Sequence, residues 1–231
     1  MRAGRAGDTA RGPQATSADT ISSRGILLMT CSSSEQGSVS RDASVAILVE
    51  TEDASAVASA ERLSAAVGEP GPDTFYSVAY GPWGVELRRP RTRPGRGWQV
   101  DLSRIERRTA TGNLSRKQPI ARAIGERATR VVDATAGFGH DAALLALMGY
   151  EVTAIERSPV VAVLLADGLH RARRDRDLTA ALGDRLTLLE GDARMLLAEL
   201  KPDTVYLDPM YPKRRRATAL PRGHAQALRA I

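Results

Sequence analysis

Cysteine is almost missing from this chain: Cys31 is the only one among 231 residues. An intrachain disulfide is therefore excluded, which suits a reducing cytoplasm, and Cys31 reads as a buried or incidental thiol. Long apolar runs are missing too. No stretch approaches the roughly 20 residues of a membrane-spanning helix. The apolar residues Ile26 to Met29 ahead of Cys31 are too few for the roughly 7 to 15 residues of a signal-peptide core. Neither a metal nor a membrane partner is expected.

Arginine is what the chain has in excess. The 33 Lys and Arg outnumber the 27 Asp and Glu for a net charge of +6, and they gather in RRPRTRPGR from Arg88, RIERR from Arg104, RARRDR from Arg171 and KRRR from Lys213. Such clusters favour a polyanionic partner, most commonly nucleic acid. A solvated arginine-rich surface is the other reading.

The length allows one large domain with a smaller companion. Residues 1–24 mix Arg, Gly, Ala, Ser and Thr without periodicity and read as a disordered tail. Residues 25–108 form a small α/β unit: a strand at 45–49, an Ala-rich helix at 53–68, FYSVAY and VELRR joined as a hairpin through GPWG, and WQVDL (98–102) as a further strand. In residues 109–231 a loop leads to a helix at 119–125 opened by Pro119. Strict alternation follows: strand 131–135, helix 139–148, strand 151–156, helix 159–174, strand 185–190, helix 193–199 and strand 203–208. That order predicts an α/β, doubly wound, mostly parallel sheet of Rossmann type.

The first turn of the series, Gly137-Phe138-Gly139-His140-Asp141-Ala142, satisfies the loose dinucleotide pattern, with Glu156 near the place of a ribose-binding acid. The charges around it argue against a pyrophosphate. Asp133 closes the first strand and Asp141 sits in the first helical turn, so both would repel a phosphate dianion at close range. They suit S-adenosylmethionine, which carries an ammonium and a sulfonium and no phosphate. Glu156 can accept both ribose hydroxyls. Asp192, after the third strand, is placed for the adenine amino group, with Ala193 supplying a backbone N–H. Each acid alone has a plainer explanation: Asp141 favours the helix dipole, and Asp192 is a suitable N-cap. Four acids at the ends of three successive strands favour the cofactor.

The fourth strand runs into Asp208-Pro209-Met210-Tyr211-Pro212. This is similar to the (D/N)-P-P-(Y/F/W) motif of methyltransferases that act on exocyclic or amide nitrogens, with Met210 in place of the second proline. The Asp208 carboxylate and the Pro209 carbonyl can hold an amine so that its lone pair faces the methyl group, and Asp208 can take the released proton. Tyr211 can stack on a base. Lys213, Arg214, Arg215 and Arg216 are phosphate-contact candidates beside it. A proline-rich turn with Tyr211 as packing is the competing reading.

Taken together, VVDATAGFGHDAALLALMGYEVTAIERSPVVAVLLADGL and VYLDPMYP closely resemble the RsmJ family of small-subunit ribosomal RNA guanine-N2 methyltransferases. The likeness is strongest over about residues 125–216. It implies a seven-stranded S-adenosylmethionine fold and an N2-methylguanine product in ribosomal RNA. It also implies cofactor contacts at His140 and Asp141, at Glu156 and Arg157, at Asp192 and Ala193, and at Asp208; Asp133, Ala134, Gly137 and Gly139 join them as candidate cofactor residues from their place at the strand end and in the turn. His140 stands where the family usually has arginine, and a neutral imidazole lacks the guanidinium fork. The family continues beyond the fourth strand, so a fragment with an open, exposed sheet edge is expected. Three alternatives stay open: transfer to another nucleic-acid amine such as adenine N6 or to a protein amide, an inactive RNA-binding remnant, and, most distantly, an NAD-dependent oxidoreductase.

Overall fold

The computed structural model describes residues 27–28, 45–68, 70, 74–105, 114 and 116–209. The expectations for residues 1–24, Cys31, Met210, Tyr211 and Lys213 to Arg216 concern residues outside them.

The N-terminal unit is a four-stranded sheet in the order β1 (Leu27–Leu28), β2 (Ala46–Val49), β3 (Ser77–Gly81), β4 (Gly84–Arg88). The β2–β3 pair is parallel and the other two are antiparallel. Helix α1 (Ala54–Val67) makes the parallel crossover. Asp53 caps it by accepting from the Ala56 N–H at 2.8 Å, and the chain leaves it at Gly68 with φ of 75°, a conformation glycine adopts freely.

WQVDL is not the expected strand. Only Trp98 bridges to Leu87, because the partners of the following residues lie elsewhere. The Gln99 amide donates to the Trp83 carbonyl at 2.9 Å, the Val100 carbonyl accepts from Arg171 at 2.5 Å, and Asp101 caps a 3-10 turn at Leu102–Arg104.

The second sheet has the order β7 (Leu186–Glu190), β6 (Glu151–Glu156), β5 (Arg130–Asp133), β8 (Thr204–Tyr206), with every pair parallel. Val131, Val152, Leu186 and Thr204 stand in register across it and so share one face. The helices preceding and joining these strands are α2 (Pro119–Ile124), α3 (His140–Leu147), α4 (Pro159–Ala172), α5 (Arg176–Leu182) and α6 (Ala193–Leu200). The expected helix 159–174 stops at Ala172, and a separate α5 follows because Asp175 accepts from the N–H groups of Asp177 and Leu178 and starts a new helix.

Helix α4 joins the two sheets into one core. Ser158 caps it and Pro159 fills its first turn. Val160, Val161, Leu164, Leu165, Leu169 and Ala172 are buried along it at helical spacing, each large side chain contributing roughly 1.5 to 3 kcal/mol. A Cβ at Gly168 would stand 2.7 Å from Val100 Cγ1 and 2.9 Å from the Val100 carbonyl oxygen, so glycine is what lets the N-terminal unit close on the helix. No helix among the described residues is long and apolar enough to cross a membrane.

Candidate active site at the carboxyl ends of the second sheet

The chain enters this sheet at β5, moves outward through β6 to β7, and returns to the other side of β5 as β8. The strand order therefore reverses between β5 and β8, and open α/β sheets form a ligand crevice beyond the carboxyl ends at such a point. Two bonds pin its walls: Ala134 N–H to the Tyr206 carbonyl at 3.0 Å, and Asp208 N–H to Thr135 Oγ1 at 2.8 Å. Asp208 and Pro209 are exposed at this rim.

The glycine turn lies over the same end. Gly137 and Gly139 have φ of 53° and 72°, in the left-handed region that favours glycine. A Cβ on Gly139 would also meet Leu165 Cδ1 at 2.5 Å. The turn is tied to β6 by Ala136 N–H donating to the Ile155 carbonyl at 3.1 Å, and by Glu156. One Glu156 oxygen accepts from Gly137 N–H at 2.8 Å and the other from Ser158 N–H at 2.7 Å. Each oxygen keeps a second lone pair for another donor.

Asp133, Asp141, Glu156 and Asp208 thus gather around one crevice. Asp133 is only 2% exposed, and Thr135 N–H at 3.1 Å donates to its carboxylate. Burial pushes its carboxyl up to about 7; the Thr135 bond opposes this, while the charges of Asp141, Asp208 and Glu156 add to it. The sequence reading missed Tyr206, whose hydroxyl donates to Asp141 at 2.8 Å. Burial first, then the Asp141 carboxylate, holds its phenol well above the ordinary range. The place of Tyr206 opposite Asp133 belongs to the folded sheet, and no local signal in the sequence marks its hydroxyl as a partner of Asp141. Thr135 and Ser158 were missed because the hydrogen bonds by which they act, Thr135 N–H to Asp133, Asp208 N–H to Thr135 Oγ1 and Ser158 N–H to Glu156, are set by the fold and not marked in the residue pattern.

Asp192 and Ala193 sit after β7. The Asp192 carboxylate accepts from Arg194 N–H at 2.9 Å, capping α6, and pairs with the Arg194 guanidinium at 2.5 Å. The Arg194 hydrogen bonds lower it to about 2. The capping alternative for Asp192 is therefore realised. His140 and Arg157 are both exposed on the rim.

The Asp133 environment carries a testable cost. An unfolded aspartate ionises near 3.8, whereas the folded one keeps its proton to about 7. Stability is therefore lost as pH rises from about 4 to about 7, by at most about 4 kcal/mol at 1.36 kcal/mol per pH unit. Asp133→Asn is expected to raise the urea midpoint at pH 8 above that of the wild type and to leave it nearly unchanged at pH 4. Equal midpoints at pH 8 would show that the acid carries no such burden.

The family model described as "Putative SAM-dependent methyltransferase" matches residues 83–231, a span that contains every candidate site residue. A curated relative from Tolumonas auensis, named ribosomal RNA small subunit methyltransferase J, is 39% identical over 179 residues, covering 74% of this chain and 71% of the relative. The chain belongs to the methyltransferase J family. Another member, from Thioalkalivibrio sulfidiphilus, is 50% identical over 125 residues, 50% of this chain and 48% of that one. The chain spans about half the length of most of the curated family members it matches. Among solved structures, a SAM-dependent methyltransferase of Neisseria gonorrhoeae aligns with a TM-score of 0.52 at 32% identity, covering 71% of this chain and 69% of that one. The Rossmann-like methyltransferase fold expected from the alternating pattern is thereby established, and the family's cofactor is S-adenosylmethionine.

Proposed function

We propose that this chain transfers a methyl group from S-adenosylmethionine to the exocyclic N2 of a guanine in small-subunit ribosomal RNA. Residues 109–231 would be the methyltransferase domain and 25–108 its companion. The observation that carries the proposal is the convergence of Asp133, Asp141, Glu156 and Asp208 on one crevice beneath the glycine turn.

The fit to a cationic cofactor rests on Asp133. Among the described residues this buried carboxylate, with its elevated pKa, has an N–H partner in Thr135 and no counter-cation, and an ammonium group would supply one. Asp133 and Asp141 would face the ammonium, while Ala134, Gly137, Gly139 and the backbone at His140 allow close approach of the methionyl part. Glu156 would take the ribose hydroxyls with Arg157 beside it. Asp192 and the Ala193 N–H would receive the adenine, with the Arg194 guanidinium moving aside. When bound, S-adenosylmethionine supplies an electrophilic methyl on a thioether leaving group.

The guanine amine is a weak nucleophile because its lone pair is delocalised into the ring. Asp208 and the Pro209 carbonyl accept its two N–H bonds and turn the lone pair toward the methyl carbon. Asp208 would take the N2 proton that methylation releases, or pass it to water, the bound cofactor supplying the methyl group and a thioether that carries away the electron pair. Tyr211 would stack on the base, and Lys213, Arg214, Arg215 and Arg216 would hold phosphates. A cytoplasmic location goes with such a substrate.

Because an ammonium needs the ionised acid, affinity for S-adenosylhomocysteine is expected to fall up to about tenfold per pH unit below about 7. Calorimetry across pH 5 to 8 would show this, and Asp133→Asn should flatten the profile. A wild-type profile that is already flat would remove Asp133 from the ammonium site. Tritium transfer from labelled cofactor to small ribosomal subunits, with DNA and protein as competing acceptors, tests the reaction. Label in N2-methylguanine is the expected product; label in adenine or protein would reassign the acceptor.

A further inference from the structure

The segment Arg89 to Gly97 carries four arginines, two prolines and no acid in nine residues, and its conformation is fixed from below. Glu86 on β4 is fully buried. One of its oxygens accepts from Gly95 N–H at 3.0 Å and the other from Gly97 N–H at 2.7 Å. Arg88 Nε donates to the same carboxylate and its guanidinium forks onto Glu50 at 2.9 and 2.6 Å. A Cβ on Gly97 would meet Glu86 Cδ at 2.8 Å, and one on Gly95 would touch the Trp83 ring at 3.4 Å. The loop therefore sits tightly on its anchor. Two turns complete it, Thr92 N–H to the Arg89 carbonyl and Arg96 N–H to the Arg93 carbonyl.

Burying a carboxylate is costly unless it is paired and hydrogen-bonded. Here Arg88 pairs with both Glu86 and Glu50, Glu86 holds the loop backbone, and the side chains of Arg91, Arg93 and Arg96 remain exposed. A merely solubilising arginine loop needs no such anchor, and holding these like charges on one ordered loop works against their mutual repulsion. The end of the loop is also packed to the glycine turn. Trp98, at its end, packs on Phe138 with ring centroids 4.0 Å apart, and Phe138 lies between Gly137 and Gly139 of the turn.

We propose that the loop from Arg89 to Gly97 is a preorganised phosphate-binding surface for the RNA substrate, with Arg91, Arg93 and Arg96 gripping the backbone. It rests on the RNA reading above. Phosphate contacts of this kind position a nucleic acid without reading its sequence, and each one neutralised releases counterions, about 0.7 in the log–log salt slope for single strands.

The test is binding of the full chain to a small-subunit ribosomal RNA fragment by fluorescence anisotropy from 50 to 300 mM salt. Arg91→Gln/Arg93→Gln/Arg96→Gln should lower the salt slope by about 2 and weaken binding at least about tenfold at low salt, with S-adenosylhomocysteine affinity within twofold of wild type. Gly97→Ala, which keeps every arginine but crowds the anchor, should also weaken RNA binding. An unchanged slope and affinity in the triple variant would overturn the proposal, as would a wild-type chain that binds no RNA. Methyl transfer to RNA with an unchanged KM in the triple variant would sink the loop and leave the enzyme standing. Transfer only to a non-RNA acceptor would instead sink the reading on which the loop depends.

Discussion

Asp208→Ala is expected to reduce methyl transfer to small-subunit ribosomal RNA by about 100- to 10,000-fold, the range for loss of a positioned acid–base group, while affinity for S-adenosylhomocysteine changes less than about fivefold. The separation follows from where Asp208 sits. It is exposed at the end of β8, its backbone N–H is held by Thr135, and neither the glycine turn nor Glu156 depends on its side chain. Removing the carboxylate would leave the backbone ties around it intact and take away the acceptor proposed to orient the amine. Asp208→Asn should recover little, because the amide presents one acceptor oxygen and cannot accept the proton. Single-turnover measurement with saturating cofactor separates the chemical step from binding. Unchanged turnover in both variants would remove Asp208 from the mechanism.

Glu156→Ala is expected to weaken S-adenosylhomocysteine binding about 100-fold or more. Two hydrogen bonds to a charged acceptor are each worth about 1.5 to 3 kcal/mol, and the ribose would lose both. The same carboxylate braces Gly137 and Ser158, so the variant also leaves two N–H groups without their acceptor and loosens the turn over the crevice. Glu156→Gln distinguishes the two effects. Its amide can keep one backbone donor but not both, so affinity should fall while the thermal midpoint stays within a few degrees of wild type. A Glu156→Ala chain that binds the cofactor as tightly as wild type would rule out the ribose role.

The parallel sheet was legible because its signals are local. Apolar runs at 131–135, 151–156 and 185–190 alternate with helical spacing, and β6 has the expected bounds, Glu151–Glu156. Asp192 announces its helix start in the same way. Asp133, Glu156 and Asp208 were expected near one another because residues at or just past the ends of parallel strands are brought together whatever the loops do, and Asp141 follows in the first turn of α3; Asp192, expected with them, caps α6. What was not legible depends on distant partners. The failure of WQVDL as a strand comes from Arg171 and Trp83, which lie 71 and 16 positions from the residues they engage. The Tyr206–Asp141 bond spans 65 positions. Nothing in VELRR singles out Glu86, and only the fold shows it fully buried beneath an arginine loop.

The most direct measurement is calorimetric titration of the purified full chain at pH 7.5 with S-adenosylhomocysteine, with NAD as the control ligand. Saturable binding of S-adenosylhomocysteine with one site per chain, lost in Glu156→Ala, and no binding of NAD is the expected result. Binding of NAD in preference to S-adenosylhomocysteine, or of neither ligand by a chain whose circular dichroism shows it folded, would contradict the assignment of the acidic crevice to a cationic methyl donor.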